Sequence, residues 1–255
     1  MKEFDLLADL ERRGLIVGVE HDAAQIDGLV VTQDALVEGV HFRFDLVGWR
    51  ELGYRAAAVN LSDLAASGAE PLALVVSLAA PSLDGAVELY EGIAETGVPV
   101  RGGDTTRADA VVLSVTAIGR AERVPGRAGA RPGDLLVVTG PLGAAAVAFR
   151  EGRLAPPPIR LAEGRRLAHA AHAMLDLSDG LGPDARHIAR RSGCRLVIDL
   201  ESVPLAEGAT HADLEFGEDY ELLAATPDPL DFTIIGRCEE GSGVNVDLSG
   251  WEHFA

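Results

Sequence analysis

Cysteine is scarce in this sequence of 255 residues. Its two cysteines, Cys194 and Cys238, do not form the closely spaced pairs that are typical of a zinc site. This argues against a zinc centre. We expect two buried, reduced thiols, and a single disulfide is the alternative.

Basic residues are also in short supply. Lys and Arg total 22 against 40 Asp and Glu, which gives a formal net charge of -18. A surface this acidic repels phosphate backbones and anionic lipids, so we expect neither nucleic-acid nor membrane partners. If a phosphate ligand binds, divalent cations must neutralise the acidic side chains around it.

Long hydrophobic segments are missing too. The longest apolar run, Leu72 to Ala80, is too short to span a bilayer. The charged N-terminal segment lacks the apolar centre and the cleavage site of a signal peptide. We therefore expect a cytoplasmic protein.

The sequence does contain enough apolar material for two cores, since 47% of its residues are hydrophobic. Its length suits two domains of about 125 residues each. A stretch rich in Gly, Pro and Arg, residues 120–133, separates the halves. We expect an N-terminal domain at 1–121 and a C-terminal domain at 122–255. Helices and strands mix in both, which predicts an α+β protein of two α/β domains.

The stretch from Ala56 to Pro71 combines a helical pattern with an unexpected acid. Asn60, Asp63 and Ser67 recur at three- and four-residue spacing, so they form one polar stripe on an apolar helix. Such a helix should be buried, and a buried carboxylate is costly unless a cation or several donors meet it. Asp63 is therefore a candidate metal ligand, with a satisfied core acid or a cap as the alternative.

Five further acids lie at the ends of apolar runs, namely Asp22, Asp34, Asp104, Asp176 and Asp179. The first two follow strands that we expect at Leu15–Val19 and Leu29–Thr32. Carboxylates from separate elements are the ligands that hard cations take, so we expect one shared cation site. Taken singly, each acid also fits a turn or a helix cap.

Three features suit a phosphate ligand. Gly102–Thr106 follows a strand expected at Val98–Arg101, and its two glycines allow the backbone to approach a phosphate. Ser178 lies near a helix N-terminus, where free amides favour anions. Arg127, in the interdomain stretch, can grip a phosphate with two N–H groups. The alternatives are an ordinary glycine-rich turn, a cap and a solvated arginine.

Seven stretches occur in a recognisable order: DALVEGVHF (34–42), AVNLSDLAASGAEP (58–71), GGDTTR (102–107), GARPGDLLVVTG (129–140), LDLSDGL (175–181), GEDYELL (217–223) and GWEHF (250–254). Together they resemble the thiamine-monophosphate kinase family. That family belongs to the superfamily shared with aminoimidazole ribonucleotide synthetase and selenophosphate synthetase.

The resemblance implies an N-terminal domain whose mixed sheet, with flanking helices, pairs with its twin in a homodimer. It implies a C-terminal domain that closes over an active-site cleft. The implied reaction is transfer of the γ-phosphoryl group of the co-substrate ATP to thiamine monophosphate, the last step of thiamine diphosphate biosynthesis, with several Mg²⁺ ions as cofactors. A phosphate acceptor needs no strong general base, which fits a sequence without an evident nucleophile–base pair.

Matched by position, the resemblance assigns three groups of residues. The implied Mg²⁺ ligands are Asp22, Thr32, Gln33, Asp34, Asp63, Asp104, Asp176 and Asp179. Among these, Asp63 and Asp104 are expected to contribute most to catalysis. The implied ATP contacts are Tyr90, Gly103, Asp104, Arg127 and Ser178. The implied contacts to the thiamine substrate are His41, Glu218 and Trp251.

The chain departs from the family pattern at several points. Glu20-His21-Asp22 replaces Gly-Asp-Asp, Gln33 stands where a Thr is common, and Tyr90 lies nearer the GGD stretch than usual. The chain is also shorter than typical members. The alternative enzyme is an ATP-dependent synthetase resembling aminoimidazole ribonucleotide synthetase. The non-enzymatic alternative is a nucleotide- or metal-binding relative that has lost its chemistry.

Overall fold

The computed structural model describes residues 3–17 and 21–251, and within them helices alternate with strands. The helices are α1 (Glu3–Arg12), α2 (Trp49–Ala66), α3 (Ala86–Ala94), α4 (Ala144–Arg150), α5 (Leu161–Ala168) and α6 (Leu181–Ser192). The strands are β1 (Ala24–Ile26), β2 (Leu29–Val37), β3 (Glu70–Ala80), β4 (Val100–Arg107), β5 (Val112–Arg120), β6 (Leu135–Val138), β7 (Ala173–Asp176), β8 (Arg195–Ile198), β9 (Leu222–Thr226), β10 (Thr233–Glu239) and β11 (Gly243–Val244). None of these helices is both long enough and apolar enough to cross a bilayer.

The first five strands form one mixed sheet in the order β1-β2-β5-β3-β4. Its neighbours are antiparallel except β3 and β4, which run parallel. Side chains alternate across it as period-2 geometry requires, so Val30, Thr32 and Leu36 of β2 are buried whereas Gln33 is exposed. The expected mixed sheet with flanking helices is therefore confirmed.

The remaining strands form a six-stranded sheet in the order β11-β8-β10-β6-β9-β7. Helix α6 covers one face, where Leu181 and Ile188 share a core with Leu136, Leu175 and Leu196. Gly193 ends α6 in the left-handed conformation, at φ 65°, as the glycine after its last turn predicts. The α+β class predicted from the sequence is thus confirmed in both halves.

Helix α2 lies between the two sheets. It contacts β2 and β5 on one side and α5, β7 and β9 on the other. Ala65 and Ala66 share a buried core with Met174 and Leu222 from the second sheet. Gly164 of α5 approaches so closely that an added Cβ would lie 2.1 Å from the carbonyl oxygen of Ala65. This packing fixes α2, and the acid it carries, against both halves of the chain.

Two strand predictions near the N-terminus need correction. Residues 15 and 16 form a bend after α1, Val17 is irregular, and Leu15 and Val17 are exposed, so the described part of the expected strand Leu15–Val19 is not a strand. Gly18 and Val19 lie outside the described residues. The next strand does not end before Gln33 but continues to Val37, because its pairing with β5 extends that far.

The strand expected at Val98–Arg101 also differs, because it begins at Val100 and continues through the glycine-rich stretch, so the alternative of an ordinary turn is wrong. Residues 102–107 belong to β4, which pairs in parallel with β3. An added Cβ at Gly103 would lie 1.8 Å from the carbonyl oxygen of Val76 on β3. The close approach of the two strands therefore accounts for a glycine at this position.

Candidate active site

A cleft of about 590 Å³ opens between the two sheets. One wall comes from β2, the loop after it and α2. The other comes from the segment after β7, the turn at 215–220 and the last described residues. Eight residues predicted from the sequence line it: Asp34, His41, Asp63, Asp176, Ser178, Asp179, Glu218 and Trp251.

Carboxylates from three segments converge beside this cleft. Oxygen atoms of Asp22, Asp63 and Asp176 all lie within 4.8 Å of one another. The Ser62 hydroxyl donates a hydrogen bond of 2.6 Å to Oδ2 of Asp176, and the Thr32 hydroxyl donates to Asp63. The buried helix, the strand end and the segment before β1 thus build one acidic cluster.

Asp34 joins this cluster from β2. Its backbone N–H donates to Oδ1 of Asn60 on α2 at 3.0 Å, which ties the strand to the helix. Burial raises the pKa of the Asp34 carboxyl, and the charge of Asp22 raises it further. Asp34 therefore shares the electrostatic environment of the cluster as well as its cleft.

Burial and mutual repulsion disfavour ionisation of these acids. Burial is the main cause that raises the pKa of Asp63 well above its usual value, and the charges of Asp176, Asp34 and Asp22 add to it. Burial also raises the pKa of Asp176 to about 7. Crowded carboxylates of this kind are stabilised in the ionised form when a multivalent cation lies among them.

Arg127 supplies positive charge at one edge of the cluster. Its Nε donates to Oδ1 of Asp22 at 2.7 Å, and its Nη2 lies 2.5 Å from the same oxygen. Burial nevertheless keeps the pKa of Asp22 raised.

The residues of the cluster also suit a metal ion. Asp63 and Asp176 accept hydrogen bonds from hydroxyl groups. Several carboxylates and a hydroxyl on separate elements match the oxygen ligands of Mg²⁺, so the residues present fit such an ion.

Two expected metal ligands lie elsewhere. Gln33 points to the outward face of the sheet, opposite to Asp34, and its Nε2 donates to the Ser114 hydroxyl at 3.1 Å. Asp104 is exposed on the edge strand β4, where it pairs with the exposed Ser77. Because side chains alternate along a strand, Gln33 does not join the inward-facing acids. Asp104 likewise lies on the outward face.

Two of the expected ATP contacts are also outside the cleft. Tyr90 lies half-buried on α3, at a shallow surface that Val87, Glu91 and Ala94 also line. Gly103 is in the edge strand, next to Asp104. The structure thus divides the expected ATP residues into two sets. Arg127, near the acidic cluster, and Ser178, in the cleft wall, form one set. Tyr90, Gly103 and Asp104, outside the cleft, form the other.

The three expected thiamine contacts line the same cleft as the acids. The backbone N–H of Val37 donates to Nδ1 of His41 at 3.0 Å, which places the proton of the neutral ring on Nε2. Trp251 is 53% exposed, and its backbone N–H donates to the carbonyl of Asp179 at 3.0 Å. Glu218 forms an ion pair with Arg55.

Sequence reasoning missed several residues of this site. Arg55 and Ser62 are buried polar residues seven positions apart on the helix that carries Asp63, so helical spacing within α2 was a usable signal. Phe149 and Phe216 line the cleft with ring centroids 5.4 Å apart. They come from α4 and from a distant turn, and no local pattern connects them.

The sequence is similar to a known family of proteins. The family model "AIR synthase related protein, N-terminal domain" matches residues 20–121. The thiamine-monophosphate kinase of Pyrococcus horikoshii is 35% identical over 270 residues, covering 89% of this chain and 86% of the relative. That of Escherichia coli is 32% identical, covering 99% and 98%. This second alignment spans 320 positions, so the relative contains segments that this chain lacks.

A solved structure described as "AaThiL complexed with AMPPCP and TMP" has the same fold. It superimposes with a TM-score of 0.90 and 31% sequence identity. The match covers 99% of this chain and 97% of the other. The likeness therefore extends through both sheets and the cleft between them.

Proposed function

Because the chain belongs to the thiamine-monophosphate kinase family, we propose that it transfers the γ-phosphoryl group of ATP to thiamine monophosphate. The observation that carries the proposal is the convergence of Asp22, Asp63 and Asp176 beside a cleft with aromatic walls. The acidic side chains suit metal-bound phosphates, and the aromatic side chains of Phe149 and Trp251 suit a flat organic ring. A relative described in complex with AMPPCP and TMP supports both kinds of ligand.

The residues of the cleft would act by positioning and by electrostatics. Asp22, Asp34, Asp63 and Asp176 would hold Mg²⁺, which supplies neutralising charge where two polyanions meet. A phosphate oxygen of thiamine monophosphate is already ionised at neutral pH, so no side chain must remove a proton from it. That oxygen bonds to the γ-phosphorus as the bond to the bridging oxygen breaks, which yields thiamine diphosphate and ADP.

The same proposal assigns the remaining residues. His41, Glu218 and Trp251 would contact the thiamine group, since all three line the cleft. Arg127 and Ser178 would contact ATP from the side of the acidic cluster. Asp179 and Thr32 would join the metal ligands, as the family resemblance implies. Tyr90, Gly103 and Asp104 would contact ATP from outside this cleft.

We further propose a homodimer formed through the five-stranded N-terminal sheet. Ile26 and Leu72 are exposed apolar residues on this sheet, which supports an apolar partner surface. A domain boundary near residue 121 is part of the same proposal, because β1–β5 precede it and β6–β11 follow it. Light scattering of the purified chain tests the dimer, and a monomeric mass would reject it.

The deciding experiment is ADP formation with thiamine monophosphate, with and without Mg²⁺. We expect thiamine diphosphate as the product and turnover only when Mg²⁺ is present. Formylglycinamidine ribonucleotide serves as the competing substrate, and turnover with it instead would favour the synthetase alternative. Calorimetric binding of Mg²⁺–ATP without turnover on either substrate would favour a non-catalytic relative.

A further inference from the structure

Helix α2 carries a buried cation, Arg55, about two turns before Asp63. The Arg55 side chain is 2% exposed. Its Nη2 lies 2.5 Å from Oε1 of Glu218, and its Nη1 donates to the carbonyl of Ala155 at 2.9 Å. Its guanidinium carbon lies 6.0 Å from the centroid of the Tyr220 ring. One residue of the first half thus joins two segments of the second half at the cleft.

The turn that Arg55 contacts is held in an unfavourable conformation. Glu218 and Tyr220 have φ angles of 59° and 52°, in the left-handed region that non-glycine residues rarely adopt. Their backbone N–H groups donate to the carbonyls of Ser178 and Leu177, both at 2.8 Å. Such strain persists where the surroundings over-determine the conformation, and it is concentrated at functional sites.

The ion pair is asymmetric in its exposure. The side chain of Glu218 is 28% exposed and lines the cleft, whereas that of Arg55 reaches it from the protein interior. The planar guanidinium can bind a carboxylate and a carbonyl at once, which a lysine ammonium does less rigidly. The ion pair therefore restrains the Glu218 carboxylate from the interior side, whereas its other side faces the cleft.

We propose that Arg55 is a positioning residue that aims Glu218 at the organic part of the acceptor substrate. The proposal rests on the proposed function, because it needs thiamine monophosphate in the cleft. Arg55 then acts on acceptor binding through Glu218 and does not act on ATP. If Arg55 served folding alone, its replacement would weaken the binding of both substrates together.

The test compares Arg55→Met and Arg55→Lys with the control Arg50→Met. Arg50 lies on the same helix but is half-exposed, and it pairs with Glu91 and Glu95 on the surface. We expect Arg55→Met to raise KM for thiamine monophosphate roughly 10- to 100-fold, since misplacement by about 1 Å has effects of this size. KM for ATP should change less than about twofold, Arg55→Lys should be intermediate, and Arg50→Met should match wild type.

A double variant separates positioning from folding. If Arg55 acts through Glu218, the variant Arg55→Met/Glu218→Gln has the same KM for thiamine monophosphate as Glu218→Gln alone. Additive losses, or equal increases in both KM values, would overturn the proposal. If Arg55→Met does not fold, Arg55→Lys combined with Glu218→Gln provides the same comparison.

The two proposals fail in distinguishable ways. A wild-type chain that forms no ADP with thiamine monophosphate rejects the proposed function itself. A wild-type chain that turns over, while Arg55→Met behaves like Arg50→Met, rejects only the role of Arg55.

Discussion

Helix α2 and strand β4 each present an acid expected to act in phosphoryl transfer, but their surroundings differ. Asp63 on α2 lies between two sheets, where burial and neighbouring carboxylates raise its pKa. Asp104 on β4 is exposed at a sheet edge, and the glycine before it allows close approach to β3. The difference shows that the environment of an acid depends on what packs behind its element, more than on the residues next to it.

The largest effect should come from Asp63→Asn. Loss of one metal-binding carboxylate should lower kcat roughly 1,000-fold, as expected when several kcal/mol of charge stabilisation are removed. The fold should persist, because burial already favours the neutral form of Asp63. A coupled ADP assay and a thermal melt measure the two effects. Activity near wild type would show that Asp63 on α2 is not needed for catalysis.

Strand β4 offers a matched pair of glycine variants. At Gly103 an added Cβ would meet the Val76 carbonyl at 1.8 Å, whereas at Gly102 nothing lies within 4 Å. Gly103→Ala should lower the free energy of unfolding by roughly 1–3 kcal/mol, the usual cost of overpacking, and Gly102→Ala should cost less. Urea denaturation measures both. If Gly103→Ala kept full stability and only raised KM for ATP, the role of the glycine would be to contact the nucleotide.

Asp104→Asn tests whether the exposed acid is also catalytic. If it binds a metal or ATP from the outward face, kcat should fall by about tenfold or more, with unchanged stability because its side chain is exposed. Steady-state kinetics and a thermal melt measure this. An unchanged kcat would leave catalysis entirely with the acids around α2.

The acidic cluster predicts a pH-dependent response to Mg²⁺. The folded-state pKa of Asp176 is about 7, and those of Asp63, Asp34 and Asp22 are also raised. From about pH 4 to 7 the folded chain therefore binds more protons than the unfolded chain, so stability falls as pH rises through this range. Without divalent cations, the melting temperature should fall between roughly pH 5 and 8.

Mg²⁺ should raise that melting temperature more at the higher pH, because only ionised carboxylates bind it well. Differential scanning calorimetry at about pH 5 and at about pH 8 measures the shift. Asp231→Asn is the control, because Asp231 pairs with Arg166 on the surface and lies outside the cluster. Equal Mg²⁺ shifts at both pH values would contradict a cluster that must lose protons to bind the ion.

The smallest effect is expected for Trp251→Ala. The loss of an aromatic contact worth about 1 kcal/mol should raise KM for thiamine monophosphate about fivefold and leave KM for ATP unchanged. Steady-state kinetics with each substrate varied in turn measures both values. Equal changes would make Trp251 a packing residue.

The sequence predicted α2 well because a polar stripe on an otherwise apolar helix is a local signal. It predicted that acids from several elements would meet, although it could not show that Gln33 would face outward. Strand β4 was misjudged because glycines allow both a tight turn and a close strand pair. The contact between Arg55 and Glu218 was missed because it depends on how the two halves pack.

The position of α2 between two sheets has a consequence for synthesis on the ribosome. The first 121 residues emerge before the strands that cover Ala65 and Ala66 exist. Met174 and Leu222 complete that buried cluster only after residue 222 has been translated. Until then the nascent chain carries a bare alanine-rich surface, which makes premature termination products of this gene candidates for aggregation or for capture by chaperones.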